Sequence, residues 1–394
     1  MNQMKKNVVL LAICQALMMT GNALLIATSA LVGLTLADDK SLATVPLGLQ
    51  YLATMLFTLP ASLLMKHAGR RAGFILGAVV GMTGGFLTTY GILAKSFMTF
   101  GVGSFLIGMF NGFAQYYRFA AADTATHDYR SKAISLVLAG GVIAAFAGPN
   151  LANLTRDLFD SVIFAGSYAS LIALYAGSAL VLLFVRIPRP SAAERQHSGR
   201  PLQIIVGQPS FLVAVLGAMV AYGVMNLVMT ATPLAMRGYG HAFSDTVLVI
   251  QWHMLGMFAP SFFTGHLINR YGALNIMLVG AVLMGLCLAA NLSGSTVWHF
   301  WCGLLLLGVG WNFLFIGATT LLTDVYNASE RAKVQGINDL LVFGTVTLSA
   351  TTSGLLHYSL GWAVVNVGVM PLLLLCLFMT YRLRVRRLAE AEGL

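Results

Sequence analysis

Residues 123–132, with the sequence DTATHDYRSK, return in altered form as residues 324–333, DVYNASERAK. Both stretches keep the spacing Asp-x6-Arg-x-Lys, follow a glycine-rich apolar segment and lead into another apolar segment. A spacing kept at corresponding places in the two halves of a chain indicates an internal duplication. The sequence therefore predicts two structurally related halves, each with the same arrangement of segments around its copy of the motif.

The remainder of the chain around this motif is strongly apolar. Of its 394 residues 58% are hydrophobic and only 9% are charged, and the mean hydropathy is +0.81. Soluble domains carry about 25% charged residues, whereas lipid accepts apolar side chains directly, and about 20 apolar residues span the bilayer as a helix. We therefore expect an all-α membrane protein with twelve spans, at residues 7–37, 43–65, 72–94, 97–122, 132–152, 162–185, 209–236, 245–268, 273–293, 297–322, 335–356 and 361–381.

One long polar connection divides the predicted spans into two groups of six. It gives an N-terminal bundle at 1–186, a linker at 187–208 and a C-terminal bundle at 209–394. The net charge of +10 is distributed unevenly, with 18 Lys and Arg in the connections on one side and four on the other. By the positive-inside rule this bias places both termini in the cytoplasm. The excess of basic residues thus indicates the orientation of the protein in a lipid bilayer and not nucleic-acid binding.

Two short loops carry a recognisable pattern. Residues 66–71 read KHAGRR, and residues 265–272 read GHLINRYG. Together with the duplication and the six-plus-six layout, they resemble the signature G-x-x-x-D-R-x-G-R-R of the major facilitator superfamily, although Asn269 and Lys66 stand where Asp is usual. The resemblance implies two pseudo-symmetric six-helix bundles that expose a central site to each side in turn. The candidate gate or coupling residues are Asp123, Arg130, Asn269, Arg270, Asp324, Arg331 and Asp339.

Helices 7 and 8 carry methionine and histidine at helical spacing. Met225 and Met229 lie four residues apart on helix 7, and His253 and Met257 lie four apart on helix 8, so each pair shares a helix face. Counted from the outer helix ends, Met229 is level with His253 and Met225 with Met257. Neutral thioether and imidazole ligands suit Cu(I) better than hard cations. The alternative is that methionines fill gaps and His253 is a satisfied polar group of the bundle.

The same two pairs resemble the motif of CcoA-type bacterial copper importers. That resemblance implies inward movement of copper across the inner membrane by a secondary transporter, with copper as cargo, cytoplasmic acceptors for it, and no resident cofactor. Riboflavin transporters belong to the same branch, so riboflavin or another small organic solute is the alternative cargo. We expect a monomer. A membrane sensor or assembly scaffold without transport activity is the alternative of another class.

Further polar and aromatic residues within the spans are candidates for the substrate pathway, because such residues usually face the bundle interior. They are Asn111, Gln115, Arg118, Tyr222, Asn226, Trp311 and Asn312. Arg118 would contact an anion or a flavin, or would brace the inner gate as a partner of Asp123. The aromatic side chains would stack on a flavin ring or serve in packing.

The sequence says less about the energy source. Asp339 is the carboxylate predicted deepest in a span, and buried carboxylates are frequent in proton-coupled transporters. The phosphate-binding pattern G-x-x-x-x-G-K-[ST] does not occur in the sequence, and no nucleophile–base set or carboxylate pair points to an enzyme. We therefore expect a secondary carrier whose coupling ion the sequence leaves open.

Overall fold

The computed structural model describes all residues except 1–2, 40–41, 43–44, 160–161, 189–198 and 393–394. The regular elements of the described residues are helices, which confirms the predicted all-α class. Part of the predicted linker at 187–208 lies outside the described residues.

The helices follow one another with short connections. They are α1 Gln3–Leu36, α2 Val45–Ala68, α3 Arg70–Leu93, α4 Phe97–Ala114, α5 Tyr117–Asp123, α6 Arg130–Thr155, α7 Ala165–Leu182, α8 Leu202–Val206, α9 Pro209–Gly238, α10 Phe243–Phe258, α11 Ser261–Tyr271, α12 Ala273–Ser293, α13 Val297–Thr323 and α14 Arg331–Glu392. A short 3-10 helix, His127–Tyr129, precedes α6.

Helical segments occupy all twelve predicted spans, and ten of them, within the described part of the chain, are long and apolar enough to cross a membrane. The predicted span 245–268 is divided into α10 and α11 at Pro260, whose ring removes a backbone donor. The last two predicted spans form one helical run, α14, that breaks at Gly361. Gly361 has φ of 84°, a conformation that residues with a side chain rarely adopt.

The chain forms two compact units. Unit 1 contains residues 1–125, 136–198 and 331–343, and unit 2 contains residues 126–135, 199–330 and 344–394. The chain thus passes from unit 1 to unit 2 within the predicted linker, while the first residues of α6 belong to unit 2 and those of α14 to unit 1. The division of the sequence into bundles at 1–186 and 209–394 stays a prediction.

Each unit contains a close helix crossing made by a pair of glycines. In unit 1, a Cβ atom on Gly84 of α3 would lie 2.8 Å from the carbonyl oxygen of Gly103 on α4. In unit 2, a Cβ atom on Gly280 of α12 would lie 2.8 Å from the carbonyl oxygen of Gly310 on α13. Small residues allow membrane helices to approach closely and to gain van der Waals contact. The two crossings are therefore a structural counterpart of the sequence duplication.

Replacement of Gly280 by alanine is expected to destabilise unit 2. Its Cβ atom would also lie 2.5 Å from the backbone nitrogen of Leu314, so α12 and α13 would have to separate. Overpacking of this kind costs roughly 1–3 kcal/mol. The measurement is the melting temperature of the purified protein in detergent. Gly285→Ala, on the same helix with open space around the added atom, is the control, and equal melting temperatures of the two variants would contradict the close crossing.

Candidate functional site

The helices that are most buried inside the protein are those that carry the predicted pathway residues. In the apolar segment of each span, the share of residues buried inside the protein is 78% for α13, 72% for α9 and 61% for the span formed by α4 and α5. A helix facing lipid would expose one apolar side, so a high buried share identifies an interior helix. Polar side chains on these three spans are thus held within protein, as expected for a solute pathway.

In unit 1, an ionic cluster joins α3, α5 and the start of α14. Arg70 Nη2 lies 2.8 Å from Asp123 Oδ2 and donates to Gln335 Oε1 at 2.6 Å. Arg331 Nε lies 3.4 Å from the same Asp123 oxygen. The side chain of Asp123 is 6% exposed. This carboxylate therefore lies between two cations, one on α3 and one on α14.

A second, deeper ion pair lies beside this cluster. Arg118 Nη2 of α5 lies 2.6 Å from Asp339 Oδ1 of α14, and the two side chains are 2% and 0% exposed. Arg118 Nη1 donates to Gln115 Oε1 at 3.0 Å, and Asn338 Nδ2 donates to Asp339 Oδ1 at 2.8 Å. The sequence suggested Asp123 as a partner for Arg118, but in the structure Arg118 is paired with Asp339.

In unit 2, the ends of α11 and α13 and the starts of α6 and α12 line a partly open cavity of about 340 Å³. Its lining includes Asp324, Arg130 and Asn269, and the side-chain amide of Asn269 donates to the carbonyl oxygen of Asp128. Arg270, next to Asn269, instead places its guanidinium 5.2 Å from the ring centre of Tyr271.

The two clusters bring together residues from the two copies of the duplicated motif. In unit 1, Asp123 from the first copy meets Arg331 from the second copy. In unit 2, Asp324 from the second copy lines one cavity with Arg130 from the first copy. Each aspartate thus lies near the arginine of the other copy. This arrangement holds the beginning of α14 within unit 1 and the beginning of α6 within unit 2.

Three amide side chains form a separate network in unit 1. Asn111 Nδ2 on α4 and Gln50 Nε2 on α2 both donate to Asn22 Oδ1 on α1, at 2.9 and 3.1 Å. Asn111 Oδ1 is buried without a hydrogen-bond partner among the described residues. Asn22 and Gln50 were missed by the sequence analysis, although an amide within an apolar span is a signal that could have identified both. The network offers amide donors and acceptors to a polar solute.

Aromatic side chains cluster in unit 2 between α9 and α13. The half-buried ring of Tyr222 meets Trp311 and Phe315 edge to face, with ring centres 5.1 and 4.8 Å apart. Trp311 and Phe315 are stacked at 5.2 Å, and both are fully buried. Trp311 Nε1 has no hydrogen-bond partner in the described part of the chain. Phe315 was missed by the sequence analysis because it is one apolar residue among many.

Two other predicted pathway residues serve the packing of unit 2. Asn312 is fully buried, and its Nδ2 donates to Ser261 Oγ and to the Met257 carbonyl oxygen, both at 2.6 Å. Asn226 Nδ2 donates to Ser349 Oγ at 3.0 Å. Both amides therefore connect helices of unit 2 with partners already in place.

The predicted metal residues lie on α9 and α10 with different surroundings. His253 is fully buried and its Nδ1 lies 2.8 Å from the Leu304 carbonyl oxygen on α13. Met225 and Met257 are buried, whereas Met229 is half-buried. Helix α10 packs mainly on α13 and only slightly on α9. The imidazole is thus engaged with α13 through one nitrogen, and Nε2 has no partner among the residues that the structure describes.

Comparison with known proteins identifies the family. The sequence profile of the Major Facilitator Superfamily matches residues 11–259 and 214–393. The chain belongs to this superfamily. It is 43% identical over 377 residues to the riboflavin transporter RfnT of Brucella anthropi, a match that covers 95% of this chain and 94% of that protein. The superfamily predicted from the sequence is confirmed, and the protein is a multi-pass membrane transporter and not an enzyme.

Solved structures of other transporters share the fold. The transporter FucP in its outward conformation superimposes with a TM-score of 0.73 at 18% identity, covering 96% of this chain and 98% of FucP. A bacterial homologue of the iron transporter ferroportin in an outward-facing state gives a TM-score of 0.76 at 12% identity, covering 95% and 98%. At these identities the likeness concerns the fold alone.

Unit 2 also contains an ion pair between Arg200 and Glu330, which we call the ionic clamp. Glu330 accepts hydrogen bonds from Arg200 Nε and Nη2, both at 2.7 Å, and its side chain is 1% exposed. The bonds from Arg200 lower the pKa of Glu330 to about 2. A lowered carboxylate pKa stabilises the fold above the ordinary pKa, and this contribution is lost only as the pH falls towards 2. The clamp is therefore constant across physiological pH.

Proposed function

We propose that this carrier moves riboflavin into the cell. The observation that carries the proposal is the 43% identity to a riboflavin transporter over almost the whole of both chains. We further propose a bacterial inner-membrane location with both termini in the cytoplasm, in keeping with the charge bias of the connections. We also propose that the carrier is a monomer.

Each unit, considered by itself, carries side chains that suit one part of the chemistry of riboflavin. Its isoalloxazine ring is planar and carries an imide, so it needs aromatic contact and amide-type hydrogen bonds. The half-buried Tyr222, supported by Trp311 and Phe315, offers the aromatic contact. Asn111, Asn22 and Gln50 offer the amides. Riboflavin is uncharged at neutral pH, so a pathway without a spare buried cation suits it, and Arg118 already has Asp339 as its counter-ion.

Copper remains the second candidate cargo. Met225, Met257 and His253 are buried on neighbouring helices, and His253 Nε2 is left without a partner among the described residues. Soft neutral ligands of this kind suit Cu(I). We rank copper below riboflavin for two reasons. His253 Nδ1 already contacts the α13 backbone at Leu304, and the relative with 43% identity to this chain is named as a riboflavin transporter.

Growth of a riboflavin auxotroph that expresses the protein, with the copper content of the cells measured in parallel, distinguishes between riboflavin and copper as the cargo. We expect the wild-type gene to permit growth on low external riboflavin without raising cell copper. Met225→Ala and His253→Ala should support comparable growth once matched for expression, because the flavin contacts are assigned to other residues. Copper accumulation that needs both side chains, without rescue of growth, would replace riboflavin by copper as the cargo.

A further inference from the structure

The amide network of unit 1 has a fixed direction. Asn22 Nδ2 on α1 donates to the sulfur of Met18 at 3.0 Å, one turn earlier on the same helix. A thioether sulfur accepts hydrogen bonds and cannot donate them, so it sets the orientation of the Asn22 amide and turns Oδ1 towards Gln50 and Asn111. These two side chains meet that oxygen with their amide nitrogens. The Oδ1 atom of Asn111 is therefore left outside the network.

This oxygen of Asn111 is a buried acceptor that lacks a donor. The residue is 4% exposed, and its Oδ1 atom has no hydrogen-bond partner among the described residues. A buried acceptor costs free energy until a donor is supplied. We propose that Asn111 Oδ1 accepts a hydrogen bond from the imide N–H of the flavin ring, and that the carrier thereby selects flavins with a free imide. This inference rests on the proposed riboflavin uptake and specifies which part of the cargo unit 1 recognises.

The imide of the flavin ring fits this carboxamide better than a hydroxyl of the ribityl chain does. An imide N–H is a donor of fixed direction with a carbonyl acceptor on either side. The Asn111 carboxamide has the complementary pair, a free oxygen and a nitrogen with two hydrogens, and that nitrogen makes one bond to Asn22. It can therefore accept from the imide nitrogen and donate to an adjacent carbonyl. A hydroxyl rotates and both donates and accepts, so it does not require this pair.

The backbone around Asn111 is held in place by a close crossing of α2 and α4. About one turn before Asn111, Gly108 of α4 lies directly against the Gln50 carbonyl group of α2, where an added Cβ atom would overlap it. Thr54 Oγ1 of α2 donates to the Gly108 carbonyl oxygen at 3.1 Å. This crossing keeps Gln50 and Asn111 where both reach Asn22. A site that is ordered beforehand loses less conformational freedom when the ligand binds, so the Asn111 oxygen is held ready for a donor.

The test compares flavins with and without a free imide. Quenching of flavin fluorescence by the purified full-length protein gives the affinity for riboflavin and for riboflavin methylated on its imide nitrogen. Methylation should weaken wild-type binding about tenfold, because the buried oxygen loses its donor. The same loss should separate lumiflavin, which has the ring without the ribityl chain, from its imide-methylated form.

Variants at Asn111 show whether this residue is the one that recognises the imide. Asn111→Leu and Asn111→Ser should bind riboflavin more weakly and should reduce the effect of methylation to less than about twofold, because the two changes remove one contact and are not additive. Serine keeps a hydroxyl for Asn22, and it is the variant to use if the melting temperature shows that leucine prevents folding. Asn150→Leu, which replaces an exposed asparagine of α6 in unit 1, is the control and should keep the tenfold effect.

The outcomes distinguish this inference from the proposed function. Wild-type protein that binds riboflavin and its methylated form equally well would overturn the role of Asn111 and leave riboflavin carriage standing. An undiminished effect of methylation in the folded Asn111 variants would do the same, because another group would then recognise the imide. Absence of riboflavin binding by folded wild-type protein would overturn the proposed function itself.

Discussion

Arg118→Leu is expected to be among the most destabilising single substitutions in unit 1. It would leave the Asp339 carboxylate fully buried with Asn338 as its remaining donor. Breaking a buried ion pair from one side costs about 3–5 kcal/mol, whereas replacing both members by apolar residues is often neutral or stabilising. The double variant Arg118→Leu/Asp339→Leu should therefore regain most of the stability lost by the single variant. The measurement is the melting temperature of the four proteins of this cycle in detergent.

The matching control is an ion pair whose two side chains are exposed. Arg156 Nε lies 2.8 Å from Asp157 Oδ2, but the two side chains are 48% and 65% exposed. Exposed pairs contribute about 0–1 kcal/mol, so Arg156→Leu should change the melting temperature little. A double variant at Arg118 and Asp339 that is as unstable as the two single variants combined would contradict the account of the pair, because independent effects add.

Tyr222→Ala is expected to cause the largest loss of riboflavin affinity. Its ring is half-buried and lies edge to face against Trp311 and Phe315, which fix its orientation. Stacking of a heterocycle on an aromatic side chain is worth about 1–3 kcal/mol, which corresponds to a fall in affinity of roughly 5–150-fold. Quenching of riboflavin fluorescence by the purified protein measures this affinity directly.

Two control variants distinguish loss of the ring contact with riboflavin from a general destabilisation of the protein. Tyr222→Phe keeps the ring and should retain most of the affinity, because it removes only the hydroxyl. Tyr90→Ala removes an aromatic side chain that is 55% exposed and belongs to neither the aromatic cluster nor the amide network, so it should leave the affinity unchanged. An unaltered affinity in Tyr222→Ala would remove the aromatic cluster from the riboflavin pathway.

The helix limits were predictable because charges and turn residues flank most spans. The prediction 273–293 coincides with Ala273–Ser293, and 297–322 nearly coincides with Val297–Thr323. The division between α10 and α11 was harder to predict from the sequence. Pro260 marks that break, yet Pro60, Pro149 and Pro233 lie inside continuous helices. Neighbouring helices can satisfy the backbone groups that a proline frees in a membrane, so the sequence alone does not say which proline interrupts a span.

Partner choice within the ionic clusters was not predictable from the sequence. The duplicated motif indicated that Asp123 is equivalent to Asp324 and that Arg130 is equivalent to Arg331. It did not indicate that the aspartate of one copy would pair with the arginine of the other. Helical spacing likewise put His253 and Met257 on one face. Which neighbour that face meets depends on the packing of three helices, and His253 contacts α13 at Leu304. Periodicity fixes the direction of a side chain on its own helix, whereas its partner is set by the tertiary arrangement.

Counterflow into liposomes containing the purified protein tests the central claim most directly. Vesicles preloaded with unlabelled riboflavin are diluted into labelled riboflavin at equal pH on both sides, with protein-free vesicles as the reference. If the protein carries riboflavin, label should accumulate transiently above the reference, and excess external riboflavin should abolish this accumulation. Label that enters protein-containing and protein-free vesicles equally, from protein whose melting curve shows that it is folded, would contradict riboflavin carriage.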